Sequence, residues 1–188
     1  MKVLIACEFS GILRNAFIKK GHNAMSCDLM ETDLLGPHYK GTVFDVLYDG
    51  WDLMIAHPPC TYLCNSGVSW LYRQGLERWD KMKHGALFFR RLLEAPIDRV
   101  AVENPIMHKY AVETIGRRQD QVIQPWQFGH GETKATCLWL RNLPKLEPTN
   151  VVEGREQRLH KLPPSKERWK LRSTTYQGIA EAMAEQWG

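Results

Sequence analysis

The chain has 188 residues, is 44% hydrophobic and 24% charged, and carries a formal net charge of +4. These values are ordinary for a globular protein and fit one domain, alone or with a small appendage. No segment approaches the roughly 20 apolar residues needed to span a membrane, and the apolar run in MKVLIACEFSG is too short for a secretory signal.

In chain order, residues 2–6 (KVLIA) predict a first strand. Residues 11–20 predict a helix with Leu13, Ala16 and Phe17 on one face, closed by Gly21. Residues 23–27 predict a second strand ending at Asp28, residues 42–46 a third and residues 52–56 a fourth. The fourth has no polar alternation, which suits a strand buried on both faces of a parallel sheet. A helical apolar pattern over residues 76–93 is stopped by Pro96, and residues 99–102 predict a fifth strand ending at Glu103-Asn104-Pro105. After a short helical piece, residues 122–126 and 136–140 predict two strands joined by FGHGETK, close enough for an antiparallel hairpin. Residues 141–174 read as irregular, and residues 176–187 as a last helix with Ile179, Met183 and Trp187 on one face. The alternation predicts an α/β three-layer sandwich with a mainly parallel sheet and a terminal antiparallel hairpin.

Five cysteines (Cys7, Cys27, Cys60, Cys64, Cys137) form an odd, scattered set, which predicts free thiols in a reducing, cytoplasmic setting. Residues 155–172 hold seven Lys or Arg against Glu156 and Glu167, a local balance of +5 that leaves the remainder near −1. Such a segment is either a contact for a phosphate-bearing partner, with Lys166, Arg168 and Lys170 at its centre, or a solvated charged loop.

Four strand ends carry unusual polar residues. The turn Cys7-Glu8-Phe9-Ser10-Gly11 leads into a helix N-terminus, where a ligand can approach backbone N–H groups, yet it lacks both G-x-G-x-x-G and the P-loop Lys. Asp28 stands where an acid accepts hydrogen bonds from a ribose, or else caps its own turn. Together they point to an adenosine-containing cofactor without a pyrophosphate. Pro58 and Pro59 end the fourth strand and present Cys60 on a stiff loop, as a nucleophile or as a small buried apolar residue. Glu103 follows an apolar strand, where desolvation is expected to raise its pKa and make it a proton donor, while Asn104 can tie the loop down. Neighbouring fourth and fifth strands would bring Cys60 and Glu103 to one crevice.

The order FSG, strand-end acid, PPC with Gly67 beyond it, then VENP, resembles the cytosine-5 DNA methyltransferases. The resemblance covers residues 3–140 and 174–187. It implies a Rossmann-like domain over residues 1–140, a basic substrate-contacting segment over residues 141–173, and a helix over residues 174–188 that packs back on the first. It implies S-adenosylmethionine as cofactor, held by Glu8, Phe9, Ser10, Gly11, Asp28, Leu29, Asp45 and Pro58. Cys60 would attack C6 of cytosine, Glu103 would donate to N3, and Asn104 and Lys134 would meet the substrate. Duplex DNA would require the base to be flipped out. Several positions depart from the family: Thr61 replaces a glutamine, Ile12-Leu13 replaces glycines, Thr42 competes with Asp45 for the adenine contact, and only Lys134 stands near the expected Q-x-R-x-R. There is no room for a separate target-recognition domain, which leaves the same chemistry on a free cytidine nucleotide open, as well as a silent nucleic-acid-binding relative. The small size suits a phage or mobile element. A zinc deaminase needs H-x-E followed by P-C-x-x-C, whereas here the cysteines are spaced P-C-x-x-x-C (Cys60, Cys64) with no H-x-E upstream; the expectation is an enzyme with no metal and no membrane partner.

Overall fold

A computed structural model describes residues 1–188. The apolar segment β1 (Lys2–Ala6) pairs in parallel with β2 (Asn23–Asp28) on one side and with β4 (Leu53–Ala56) on the other. Between β1 and β2 runs α1 (Ile12–Lys19). All four residues of β4 are buried. Leu53 and Ile55 enter one core and Met54 and Ala56 the other, so this strand is covered on both faces. β4 pairs in parallel with β5 (Arg99–Pro105), and β5 pairs antiparallel with β7 (Thr136–Arg141), which carries β6 (Gln121–Ile123) on its far side. With β3 (His38–Lys40) at the opposite edge, the seven strands lie in the order β3-β2-β1-β4-β5-β7-β6. This is the mainly parallel α/β sandwich with a terminal hairpin that the alternation predicts.

One core lies under α3 (Gly75–Leu93) and α4 (Lys109–Ile115), through Met82, Ala86, Phe89, Ala111 and Ile115. The other lies under α1 and the last helix, α7 (Gln177–Gln186), through Leu13, Phe17, Ile179, Met183 and Trp187. The faces of α1 and α7 read from sequence are the faces that are buried, whereas α3 buries Met82, Ala86, Phe89, Leu92 and Leu93 and leaves Leu76 and Leu87 exposed.

Four local expectations are corrected. Residues 42–46 are no strand: the Thr42 hydroxyl accepts the Phe44 N–H at 3.4 Å and caps a 3₁₀ turn, Val43–Asp45, so the third strand is β3. β5 runs to Pro105 rather than ending at Val102, because β7 supplies partners for Glu103, Asn104 and Pro105. β6 stops at Ile123, where Pro125 opens a 3₁₀ turn tied by the Gln124 N–H to Gln127 Oε1 at 2.7 Å. The basic segment holds two short helices, α5 (Arg158–Lys161) and α6 (Arg168–Ser173), and α2 (Ser69–Arg73) follows the PPC loop. No helix is long and apolar enough to cross a membrane.

Candidate active site

At the end of β1 the backbone enters the left-handed region at Cys7, φ 57°, an uncommon conformation for a residue with a Cβ. The Glu8 N–H then donates to the Cys27 carbonyl at 3.0 Å, which joins the turn to β2. The buried Glu8 carboxylate accepts Ser10 Oγ–H at 2.9 Å, the Leu13 N–H at 2.8 Å and the Arg14 N–H at 3.4 Å, while Ser10 Oγ accepts the Ile12 N–H at 3.2 Å. The first free donors of α1, expected to await an anion, are therefore capped from within. Gly11 sits at φ 75°, where an added Cβ would press within about 3 Å of the Arg14 guanidinium and Leu34, so the turn requires glycine. Arg14 itself is fully buried, with Nη1 donating to Ser26 Oγ at 2.9 Å and Nη2 to the Leu34 and Leu35 carbonyls at 2.7 and 3.0 Å.

Asp28, at the end of β2, caps its own turn by accepting the Met30 N–H on Oδ1 at 3.0 Å, and its Oδ2 has no partner within the chain. Leu29 is 74% exposed. Asp45 is exposed and accepts the Tyr39 hydroxyl at 3.1 Å.

The β1 turn, the PPC loop and the end of β5 converge on one cleft. It is lined by Glu8, Phe9, Ser10, Pro58, Cys60, Glu103, Asn104 and Lys134 among the expected residues. Gly11, Asp28, Leu29 and Asp45 lie outside its lining, as do Lys166, Arg168 and Lys170. Its room is about 120 Å³, below the roughly 300–1,000 Å³ usual for ligand pockets, with Arg172, Ser173 and Thr175 closing one side.

Asn104 is 1% exposed and its Nδ2 donates to the Pro58 carbonyl at 2.9 Å, which fixes the PPC loop to β5. Its Oδ1 is buried with no partner. Glu103 Oε2 lies 3.2 Å from His57 Nδ1, and His57 Nε2 is likewise buried without a partner. Burial of Glu103 works against its charge, but the His57 hydrogen bond and the nearby Lys134 ammonium outweigh it and hold the carboxyl below its ordinary range. This corrects the expectation of a raised pKa: the free site holds a carboxylate. Lys134 is itself pushed down by burial, and its Nζ donates to the Thr174 carbonyl at 3.3 Å.

Cys60 is half-buried, and the turn after it is closed by the Cys64 N–H donating to the Cys60 carbonyl at 3.0 Å. The neighbouring Cys64 thiol, then burial and then the Glu103 carboxylate push the Cys60 thiol well up. Cys64 is held down at about 5 by its neighbour Cys60, against its burial, with help from Ser66, the Gly67 backbone and Arg172. Ser66 Oγ lies 3.3 Å from Cys64 Sγ.

The basic segment turns inward. Trp169 lies on the Phe9 ring at 5.5 Å between centroids, and Lys170 Nζ pairs with Asp33 Oδ1 at 2.6 Å. Gly178, at the start of α7, has no room for a side chain against the Phe128 carbonyl, and its N–H donates to His130 Nε2 at 3.0 Å. Sequence reasoning missed His57 and Arg172 as residues of this cleft. The position of His57 at a strand end just before the two prolines was the one available signal. No group of three or more His, Cys, Asp or Glu side chains is placed to hold a metal ion.

No known family matches the sequence. No curated protein matches it either. Among solved structures, the chain is similar to a protein described as an E. coli prophage-encoded DNA modification methyltransferase, at 12% identity and a TM-score of 0.53, over 81% of this chain and 52% of that one. It is also similar to the Entamoeba histolytica methyltransferase EhMeth, at 14% identity and a TM-score of 0.51, over 88% of this chain and 60% of that one. The chain thus spans about half to three-fifths of the length of these proteins. At such identities the likeness is one of fold, and the fold is the Rossmann-like one found in these methyltransferases.

Proposed function

We propose that the protein is an S-adenosylmethionine-dependent methyltransferase that acts on C5 of cytosine in DNA through a covalent Cys60 adduct. The observation that carries this reading is the convergence of Cys60 and Glu103 on one cleft beside the Phe9–Gly11 turn. The turn fits the cofactor. Its helix donors are already capped by a buried carboxylate, which disfavours a pyrophosphate and suits a ligand with a positive sulfonium and ammonium. Phe9 offers an apolar face, and the free Oδ2 of Asp28 can accept from a ribose hydroxyl. When bound, S-adenosylmethionine supplies the methyl group.

The chain's own residues supply the activation of an unreactive carbon. Pro58 and Asn104 hold Cys60 at the cleft, so that its sulfur can bond to C6 of the pyrimidine and push electrons toward C5. The ionised Glu103, oriented by His57, accepts from the exocyclic amine and stabilises a proton that N3 takes up from solvent on binding, which favours the electron-poor ring that a thiolate attacks. Loss of the C5 proton after methylation then expels the Cys60 sulfur. Lys134 and Arg172 bring two positive charges to the cleft, suited to the phosphate beside the target base.

Those two cations serve a single phosphate equally well, and Lys170 is already paired with Asp33. These facts favour, as a second reading, the same chemistry on a free cytidine nucleotide. One experiment tests both: transfer of a tritiated methyl group to duplex DNA, single-stranded DNA, RNA and cytidine nucleotides in parallel. The proposal predicts label on DNA, recovered as 5-methylcytosine. Label confined to nucleotides would replace it with the second reading, and label on an exocyclic nitrogen would end both.

A further inference from the structure

We infer that the aromatic and cationic surface formed by α2 and the start of α4, beside the PPC loop, is a platform for single-stranded DNA on which bases next to the target cytosine stack. The inference rests on the proposed action at cytosine in DNA and narrows it to an unpaired strand.

The rings of this surface are exposed and grouped. Trp70 is 44% and Tyr72 65% exposed, on a helix that buries only Leu71. The Tyr72 ring meets the Trp79 ring edge-on at 6.0 Å between centroids, Trp79 meets Tyr110 at 4.8 Å, and the Tyr72 and Tyr110 hydroxyls are hydrogen-bonded to each other. Half-buried Trp79 thus ties the outer rings to α3 and keeps them from folding away. Single exposed rings are common on protein surfaces, but a fixed group of them marks a contact.

Positive charge is placed among the rings. The Arg73 guanidinium carbon lies 5.4 Å from the centre of the Trp70 ring, Lys109 Nζ 4.8 Å from that of Tyr110, and the Arg78 guanidinium carbon 4.4 Å from that of Tyr62. None of these three cations is in an ion pair. The acids of α3 are already engaged, Glu77 by Lys81 and Asp80 by His84, and from α4 Glu113 faces Tyr110. Rings interleaved with free cations match a nucleotide strand, which offers a π-face and a phosphate at every step. An apolar partner would cover the three cations without answering them. A duplex keeps its base faces stacked on one another, closed to the rings of a protein.

The platform is continuous with the cleft. Arg78 Nη2 donates to the carbonyl of Thr61, the residue after Cys60, at 3.0 Å. The Tyr62 carbonyl lies 3.0 Å from His108 Nε2, just before Lys109 and Tyr110, and the Asn65 N–H donates to the Ile106 carbonyl at 2.8 Å. The loop that brings Cys60 into the cleft is therefore bonded to the elements that carry the rings. A strand whose cytosine enters the cleft lays its neighbours on Trp70 and Tyr72, and on an unpaired strand that cytosine needs no extraction from a duplex.

Fluorescence anisotropy with a short labelled oligothymidylate, which contains no cytosine, tests the surface apart from the chemistry. Wild type should bind this strand more tightly than the same strand paired with oligoadenylate. Trp70→Ala and Tyr72→Ala should each weaken single-strand binding by about fivefold or more. Arg73→Gln and Lys109→Gln should each lower the slope of log affinity against log salt by about 0.7. Melting temperature and S-adenosylhomocysteine affinity should stay near wild type in all four variants, whose altered side chains are exposed and outside the cleft lining. No binding of the single strand by wild type, tighter binding of the duplex, or variants that hold the strand as wild type does would each overturn the platform. The two readings fail separately. A platform that behaves as expected on a protein that methylates no cytosine leaves the strand-binding surface and removes the cytosine chemistry, and methylated cytosine with insensitive variants does the reverse.

Discussion

The two sides of the strand ends treat their polar atoms in opposite ways. At the β1 turn every group is answered from within: Glu8 and Ser10 cap α1, and Arg14 is enclosed by Ser26 and two carbonyls. At the ends of β4 and β5 the bonding is incomplete. Of the four buried side-chain polar atoms that lack a partner, His57 Nε2 and Asn104 Oδ1 belong to residues lining the cleft. Buried polar atoms are costly to leave unpaired, so the saturated side behaves as scaffold and the unsaturated side as the place a ligand completes. Disrupting the first should cost stability, and disrupting the second should cost rate.

The largest expected effect lies on the unsaturated side. Cys60→Ser should lower methyl transfer by about a thousandfold or more, while thermal melting stays close to wild type because the residue is nearly isosteric. A melting loss that matched the activity loss would break the comparison. Glu103→Gln comes next, with kcat down by about a hundredfold to a thousandfold and cofactor affinity retained in calorimetry. The same variant carries a pH signature. Glu103 is held below its ordinary range in the folded protein, so its contribution to stability is present above the unfolded carboxyl value of about 4.3 and is lost as pH falls through the folded one. The stability gap between wild type and Glu103→Gln, followed by urea unfolding, should shrink on acidification from pH 7 to pH 3.5.

On the scaffold side, Arg14→Met should cost about 2–4 kcal/mol in urea unfolding, because the loop carbonyls and Ser26 lose a buried charged donor. At a temperature where the variant stays folded, its kcat should be near wild type. The smallest effect is expected where the two sides meet. Trp169 covers Phe9, and Trp169→Ala should weaken S-adenosylhomocysteine binding by about tenfold or less. Cofactor-induced change in tryptophan emission should diminish in the same variant.

Much of this arrangement is legible in the sequence because it depends on local signals. The run LMIA announces a strand buried on both faces, the two prolines end it, and strand adjacency brings Cys60 toward Glu103. The rest depends on tertiary partners that no local pattern carries. Arg14 carries no local signal of its role, yet it is 0% exposed because the loop after β2 wraps it. The raised pKa expected for Glu103 followed from burial alone and failed because His57 and Lys134, distant in sequence, overcome that burial. Thr42 was read as part of a strand, and its hydroxyl makes a turn instead. The basic segment reads from sequence as a phosphate contact or a solvated charged loop, and no local pattern tells that Trp169 packs on Phe9 and Lys170 pairs with Asp33.

The central claim is that Cys60 forms the bond to the pyrimidine. An oligonucleotide carrying 5-fluorocytosine cannot lose a proton from C5, so incubation with the protein and S-adenosylmethionine should halt at a covalent complex. That complex should survive a denaturing gel and map by peptide mass to Cys60. An adduct on Cys64, or full methyl transfer to cytosine with no adduct on any cysteine, would contradict the account.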